Sequence, residues 1–374
     1  MTRSQLTLAA LATAAVPGLE VSSATVLPGS SADFYSVLLT ASDGHHLKVQ
    51  APKRQSAENR QSAELVALGA LTEGVRNRLP FEIPSLLGKA PYGPSRVVVF
   101  SYVYGHSVQA NAVLAGSALA EHLGQAIAAI HSLPASVVSQ AGLIHYTAAD
   151  CRTQTLTLLD RALDTGKVPA VIEERWQRIS TDVSLWQFQA TVIHAGLSAE
   201  NILAIGDDIT GILNWSGLKV ADPALDLSWV MTGLHPDAAE SVLDAYAQAR
   251  GVMLDEALRK RTALYAELEL ARWLLHGVDS KDESIVEDAI SMLHSLLDRV
   301  QYDLNNPLND NEHQPLSETQ VHEYLNHSGI DRPDTETDAI PVILPLNSPH
   351  GEGLSSELFE DSSEDEESSK LERE

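Results

Sequence analysis

Residues 192–215 read VIHAGLSAENILAIGDDITGILNW, a strand, loop and hairpin pattern of the kind that can build a phosphotransfer site. Phosphoryl transfer from a nucleotide needs a loop over the phosphates, a cation braced by a helix carboxylate, a carboxylate that orients the acceptor hydroxyl, and an amide and a carboxylate that hold magnesium. The segment predicts a strand, a polar loop from His194 to Asn201, and a hairpin whose turn contains Asp207 and Asp208. Glu200 is the only acid within the loop.

The elements before this segment indicate a small α+β lobe. After Pro17-Gly18 the sequence alternates like paired strands, with turn signals at residues 28–31 and 43–44. A helical pattern follows from Ser56 to Leu71, and the apolar run of residues 95–105 predicts a buried strand. We therefore predict that residues 1–105 form an N-terminal lobe with an antiparallel sheet and one helix.

The elements after residue 105 are mostly helical. Helical periodicity is found in the following segments: 116–134, 149–165, 171–185, 222–234, 236–251, 254–277 and 282–301. These segments predict a larger helical lobe over residues 106–302, interrupted by the strand, loop and hairpin of residues 192–215. The predicted fold class is α+β with two lobes.

The first residues allow two interpretations. Arg3, an apolar run and small residues at Ala12 and Ala14 resemble a secretory signal. The alternative, which we favour, is a half-buried helix that Ser4 could cap and that Pro17-Gly18 would stop. The run is too short to span a bilayer.

The C-terminal segment has a different composition. Of the net charge of −26, the 19 acidic and 3 basic residues of segment 303–374 contribute −16, and residues 1–302 contribute −10. Such a segment buries too little apolar surface to offset the entropy of ordering, so we expect it to be a disordered acidic tail. It could bind a basic surface, act as an autoinhibitory arm, or simply aid solubility.

Composition also limits the function classes. No basic stripe for nucleic acid is present, so we expect no nucleic-acid partner, and we expect no membrane association. The single cysteine, Cys151, rules out an intrachain disulfide framework and fits a cytoplasmic protein. We interpret it as a packed thiol, because no histidine pattern would make it a nucleophile.

Three motifs together resemble the aminoglycoside/macrolide phosphotransferase family, which shares the bilobal fold of protein kinases. The family reads H-G-D-(L)-x-x-x-N, then I-D-W, then D-P-x-x-D-L. This sequence reads HAGLSAEN from His194, LNW from Leu213 and DPALDL from Asp222, in the same order and spacing. The resemblance covers about residues 1–300 and implies a protein-kinase-like fold with ATP or GTP and Mg²⁺ as cofactors.

The departures from the motifs bear on activity. The resemblance places Gly196 where the family has the carboxylate that orients the substrate hydroxyl. It places Asn201 on the family's magnesium-ligand amide and Asn214 on its metal-ligand carboxylate. An amide at the second position removes one negative charge from a site for a hard dication. Glu200 is poorly spaced to replace the lost group.

Other motif residues are expected to be structural. By resemblance, His194 and Asp226 would brace the loop through hydrogen bonds, and Asp222 would be the N-cap of the following helix. The adjacent His45 and His46 would point to opposite faces of a strand, so we expect no metal site there.

The resemblance also assigns the nucleotide contacts. Lys48 or Gln50 falls on the family's basic strand residue, depending on the alignment, and the two side chains share one face of the strand. Lys48 could reach a phosphate, with Glu64 as its helix partner, or it could be a solvated edge lysine. The remaining candidates are the phosphate loop, with Ser30 and Ser31, and the hinge backbone at Ser101–Val103.

Two functions follow from these observations. The first is a pseudokinase that binds a partner or regulates, with weak nucleotide affinity at most. The alternative is an active small-molecule kinase with an atypical site, because positioning and charge neutralisation dominate phosphoryl transfer. The loss of two carboxylates that act on the same transition state favours the first.

Overall fold

The computed structural model describes residues 5–27 and 33–302. The predicted phosphate-loop residues Ser30 and Ser31, the capping residue Ser4 and the acidic segment 303–374 lie outside the described residues.

The N-terminal part contains an antiparallel sheet with the strand order β1-β2-β3-β5-β4. Its elements are α1 (Gln5–Ala15), β1 (Val21–Val26), β2 (Phe34–Ala41), β3 (His46–Pro52), α2 (Gln55–Ala70), α3 (Glu73–Arg76), β4 (Leu86–Tyr92) and β5 (Ser95–Ser101). Alternate side chains of β5 separate two cores. Val97 and Val99 pack with α1, whereas Val98 and Phe100 join the larger core that includes α2 and the helical part.

Residues 5–15 form helix α1, the half-buried helix that the preferred interpretation expects. Leu8 and Ala12 are fully buried against β2 and β3, next to Leu39 and Val49. The apolar run therefore covers one face of the sheet. Among the described residues, no helix is long and apolar enough to cross a membrane.

The sequence analysis missed one strand of this part and misplaced the end of another. The strand β4 was missed, because Gly88 and Pro91 break its apolar pattern and it lies at the sheet edge. The strand β5 ends at Ser101 instead of Gly105. Beyond Ser101 the chain leaves the ladder, and Gly105 has a φ of 139°, which a residue with a side chain rarely adopts.

The helical part follows the predicted order. Its elements are α4 (Ala118–His131), α5 (Ser136–Gln140), α6 (Ala148–Leu163), α7 (Ala170–Thr181), α8 (Ala224–Gly233), α9 (Pro236–Arg250), α10 (Glu256–Ser280) and α11 (Glu283–Tyr302). The helices α4 and α9 approach closely at Gly124, where a Cβ atom would lie 2.4 Å from the carbonyl oxygen of Val242. Helices α7 and α10 are joined by a buried ion pair, in which Arg175 donates to Glu267 at 2.8 Å.

Two small sheets carry the loop of the opening segment. The strands β7 (Thr191–Ile193) and β10 (Lys219–Ala221) pair antiparallel. The strands β6 (His106–Ser107), β8 (Ile202–Ile205) and β9 (Asp208–Ile212) form a three-stranded sheet. The loop between β7 and β8 is therefore held at both ends by sheets, and β9 leads directly to Asn214.

Candidate functional site

The His194 ring is fixed in the floor of the loop. It is fully buried, its Nε2 donates to the carbonyl oxygen of Leu213 at 3.0 Å, and it packs edge-on against the Trp215 ring. Nδ1 has no hydrogen-bond partner among the described residues. Burial lowers the pKa of His194, although Asp226 and the Leu213 carbonyl act against that effect. The ring is therefore a neutral brace.

Asp226, in the first turn of α8, holds the loop backbone. Its carboxylate accepts the backbone N–H groups of His194 and Ala195, each at 2.7 Å, and lies 3.3 Å from Nε2 of His131. Burial alone would raise the pKa of Asp226, but the interactions with His131 and His194 outweigh it, so that this pKa lies below its ordinary value. The structure thus places His194 and Asp226 in the bracing positions that the resemblance implied.

This brace imposes strain on the next residue. Ala195 has a φ of 57°, in the left-handed region, which costs a residue with a Cβ atom about 1 kcal/mol. Gly217 lies directly beneath it, because a Cβ atom there would be 2.8 Å from the His194 carbonyl oxygen. The sequence analysis missed Gly217, because no local sequence pattern indicates a close approach between segments that are distant in the chain.

At the position of the family's hydroxyl-orienting carboxylate, Gly196 leaves the loop open. The residue is exposed and its φ is not positive. A Cβ atom added there would meet only Nδ1 and Cε1 of His194, at 3.6 and 3.7 Å, which are ordinary contacts. The backbone therefore accepts a side chain at this position. Glu200 is exposed on a short 3₁₀ turn at the far end of the loop.

The two asparagines of the predicted metal site bind each other. The Asn214 amide donates to Oδ1 of Asn201, and Nδ2 of Asn201 donates to the Gly196 carbonyl oxygen at 2.7 Å. Asn214 has a φ of 65°, a left-handed conformation that asparagine tolerates. This donor set does not fit Mg²⁺, because it contains no carboxylate and the Asn201 oxygen is already engaged. Among the described residues, no group of three acidic, histidine or cysteine side chains could hold a metal ion.

Lys48 and Gln50 share one face of β3, as predicted. Leu47, Val49 and Ala51 point to the core beside α1, which leaves the two polar side chains half-buried on the other face. Gln50 donates a long hydrogen bond of 3.4 Å to the Ser36 hydroxyl. Lys48 has neither a hydrogen bond nor an ion pair closer than 4 Å within the described part of the chain.

Glu64 connects α2 to the segment that carries Asn214. Burial raises the pKa of Glu64, while Lys48 and the backbone N–H groups of Trp215 and Asn214 act in the opposite direction. Burial likewise lowers the pKa of Lys48, and Glu64 opposes this shift. Lys48 and Glu64 thus attract each other electrostatically, but no ion pair closer than 4 Å joins them within the described residues, so the direct pairing that was predicted is not formed.

In the hinge, some backbone groups are hydrogen-bonded to other described residues and some are not. Ser101 is tied to Ser85: its N–H donates to the Ser85 carbonyl oxygen at 2.9 Å, and its hydroxyl accepts the Ser85 N–H at 2.8 Å. Tyr102 donates to the His46 carbonyl oxygen at 3.3 Å. In contrast, neither the N–H nor the C=O of Val103 is hydrogen-bonded to any described residue. Of the predicted hinge residues Ser101 and Val103, Val103 is the one whose N–H and C=O both lack a hydrogen bond to the described residues.

The structure also corrects the environment of Asp222. One carboxylate oxygen accepts the Ala224 N–H at 3.0 Å, but the N-cap of α8 is Pro223, so Asp222 lies one residue before the predicted N-cap position. The other accepts a hydrogen bond from Nε of Arg261 at 2.8 Å in a buried ion pair that sequence reasoning missed.

Cys151 is buried, and burial raises the pKa of its thiol to about 11. This agrees with an inert packed cysteine.

Comparison with known proteins places this geometry in a family. The model of the phosphotransferase enzyme family matches residues 25–268, well over half of the chain. The uncharacterized protein YcbJ of Bacillus subtilis (strain 168) is 24% identical over 273 residues, which cover 70% of this chain and 87% of YcbJ.

Solved structures share the fold. The apoenzyme of macrolide 2'-phosphotransferase MphH from Brachybacterium faecium superposes with a TM-score of 0.64 at 21% identity, covering 76% of this chain and 96% of MphH. The GDP complex of aminoglycoside 2'-phosphotransferase-IIIa gives a TM-score of 0.65 at 16% identity, covering 78% and 98%. The bilobal kinase-like fold is therefore confirmed, and the chain belongs to the phosphotransferase enzyme family.

Proposed function

We propose that this protein is a catalytically impaired phosphotransferase that binds a purine nucleotide in the cleft beside β3 and works as a regulatory or binding module. One observation carries the proposal: Asn214 bonds to Asn201 at the place of the metal ligands, while Gly196 leaves no carboxylate for the acceptor hydroxyl. The loop is built and braced, but the charges that the reaction needs are missing.

The size of the loss supports impairment. A positioned general base contributes about 10²- to 10⁴-fold to a rate. A metal ion that neutralises developing charge contributes several kcal/mol more. Both effects act on the same transition state, so the remaining positioning by the loop cannot replace them.

Nucleotide binding rests on groups that are still present. Lys48 is a half-buried cation without a direct partner in the described chain, and a phosphate would supply the missing charge. The unbonded N–H and C=O of Val103 could pair with a purine edge. Structures of family relatives include complexes with GDP and ADP, and we extend nucleotide binding to this chain by analogy.

Calorimetry with ATP and with GTP, each with and without Mg²⁺, tests the proposal. We expect binding that Mg²⁺ does not tighten and that Lys48→Ala weakens about tenfold, since a desolvated charge contact contributes on the order of 1.4 kcal/mol. The matched control is Lys89→Ala, which removes an exposed lysine of β4. If no nucleotide binds at all, the role is that of a scaffold.

Turnover is the second arm of the experiment. Phosphate transfer to a panel of hydroxylated acceptors should stay at background. Robust Mg²⁺-dependent turnover that Asn201→Ala abolishes would overturn the proposal and establish an active kinase with an atypical site.

A further inference from the structure

A cavity of about 320 Å³ opens in the helical part, between α6, β10 and α10. Three basic side chains line it, from three different elements: Arg161, Lys219 and Arg272. Residues 1–302 carry a net charge of −10, so a cavity with three basic residues and one acidic residue is unusual for this protein. None of the residues that line this cavity belongs to the nucleotide cleft proposed above.

Lys219 is the basic residue whose charge is not compensated by a direct contact. Its side chain is half-buried, and within residues 5–27 and 33–302 its ammonium group has neither a hydrogen bond nor an ion pair. Arg161 and Arg272 differ, because they pair near the surface with Asp279 and Glu269. Burial lowers the pKa of Lys219, and the charge of Arg272 lowers it further.

The nearby carboxylates are engaged elsewhere. Asp222, the acidic residue of the lining, is bound to Arg261 and to the first turn of α8. Asp226 holds the loop backbone and favours the charged form of Lys219 only from a distance. The backbone of Lys219 is held in β10, where it pairs with Ile193 and where Val220 and Ala221 are buried.

The rest of the lining fits a small organic molecule. Tyr146 and Gln154 offer polar groups, whereas Leu158 and Leu225 provide apolar contact. The volume lies at the lower end of the range of small-ligand pockets. An oxyanion on such a molecule would supply the partner that the Lys219 ammonium lacks.

We propose that this cavity binds a small organic anion, whose phosphate or carboxylate group contacts Lys219. Lys219 pairs with Ile193, which directly precedes His194, so the cavity lies beside the strand that leads into the loop. The proposal does not depend on nucleotide binding, and it gives the protein a second ligand.

Four probes distinguish the possible ligand chemistries: glucose 6-phosphate, the sugar acid gluconate, neutral glucose and inorganic phosphate. We expect an increase in Tm and a calorimetric signal with the phosphate or the carboxylate probes and none with glucose. Lys219→Gln should weaken the binding at least about tenfold, whereas Lys89→Gln, at an exposed lysine, should leave it unchanged.

Two further measurements keep the result interpretable. Without ligand, Lys219→Gln should keep or raise the Tm, because it removes a half-buried charge that has no direct partner. Saturating GTP should not compete with the probes. The proposal fails if no anionic probe binds at millimolar concentration, if binding persists in Lys219→Gln, or if GTP displaces the probe.

Discussion

The side chain of Asn214 donates a hydrogen bond to the amide oxygen of Asn201, although the two residues lie on opposite sides of the β8–β9 hairpin. The amide nitrogen of Asn201 in turn donates a hydrogen bond to the Gly196 carbonyl oxygen. The three positions at which the family resemblance places the reacting groups are thus joined by neutral hydrogen bonds. Such a network is satisfied without a cation.

Asn214→Asp should give the protein magnesium-dependent nucleotide binding. The substitution adds a carboxylate, and aspartate tolerates the left-handed backbone of this position about as well as asparagine does. We expect Mg²⁺ to increase GTP or ATP affinity at least about tenfold in this variant, measured by calorimetry. Asn214→Gly is the control, because it breaks the amide contact without adding charge. An equal Mg²⁺ effect in both variants would contradict the prediction.

Gly196→Asp combined with Asn214→Asp should restore phosphoryl transfer. The Gly196 backbone is not in the left-handed region, and a Cβ atom there makes only ordinary contacts with the His194 ring. We expect turnover about 10²-fold or more above that of the wild type, read as nucleotide hydrolysis or transfer to hydroxylated acceptors. Gly196→Asn in the same background has the same size without the carboxylate and should stay inactive. Equal rates in the two double variants would show that the carboxylate is not what the site lacks.

Asp226→Asn should destabilise the fold. An amide can accept one of the two backbone N–H groups of His194 and Ala195 but presents its own N–H groups to the other. We expect the free energy of unfolding to fall by about 3 kcal/mol, as for other buried charged networks that lose one partner. Urea denaturation measures this change, with Asp207→Asn in the exposed hairpin turn as the control. A loss no greater than that of the control would mean that the brace is dispensable.

His194 should make the protein less stable in mild acid. Its pKa is lowered by burial, so below the ordinary histidine value of about 6.5 the unfolded chain binds a proton that the folded chain does not. The contribution of His194 is therefore complete above that value and decreases as the pH falls from about 7 to 5, by at most about 1.4 kcal/mol per pH unit. His194→Gln keeps a donor for Leu213 and removes this titration. The free energy of unfolding should then depend less on pH in the variant, and identical slopes would refute the assignment.

Local patterns were sufficient for most elements. The helices α2, α4, α6 and α10 follow from their apolar periodicity, and the hairpin after the loop follows from its turn residues. These features depend on neighbouring residues, which is why sequence reasoning finds them. The strand β4 was not predicted, because its local pattern is weak and its pairing with β5 stabilises it.

The candidate site was predictable to the extent that motif order fixes it. The positions of His194, Gly196, Asn201 and Asn214 along the chain identified the family, and the family match confirms that identification. The sequence did not show that Ser101 is hydrogen-bonded to Ser85, whereas the backbone groups of Val103 have no hydrogen bond to any described residue. That difference depends on the path of the chain between α3 and β4.

The sequence by itself determined most of the elements, the family and the two missing carboxylates, because each is a property of residue type and spacing. Tertiary structure alone decided that Asn214 bonds to Asn201, that Asp222 is held by Arg261, and that Lys219 faces a cavity without a direct partner in the described part of the chain. In each case the deciding contact joins residues far apart in the chain or on different elements. Burial and distance, which only the packed chain defines, set the charge and hydrogen bonding of these groups.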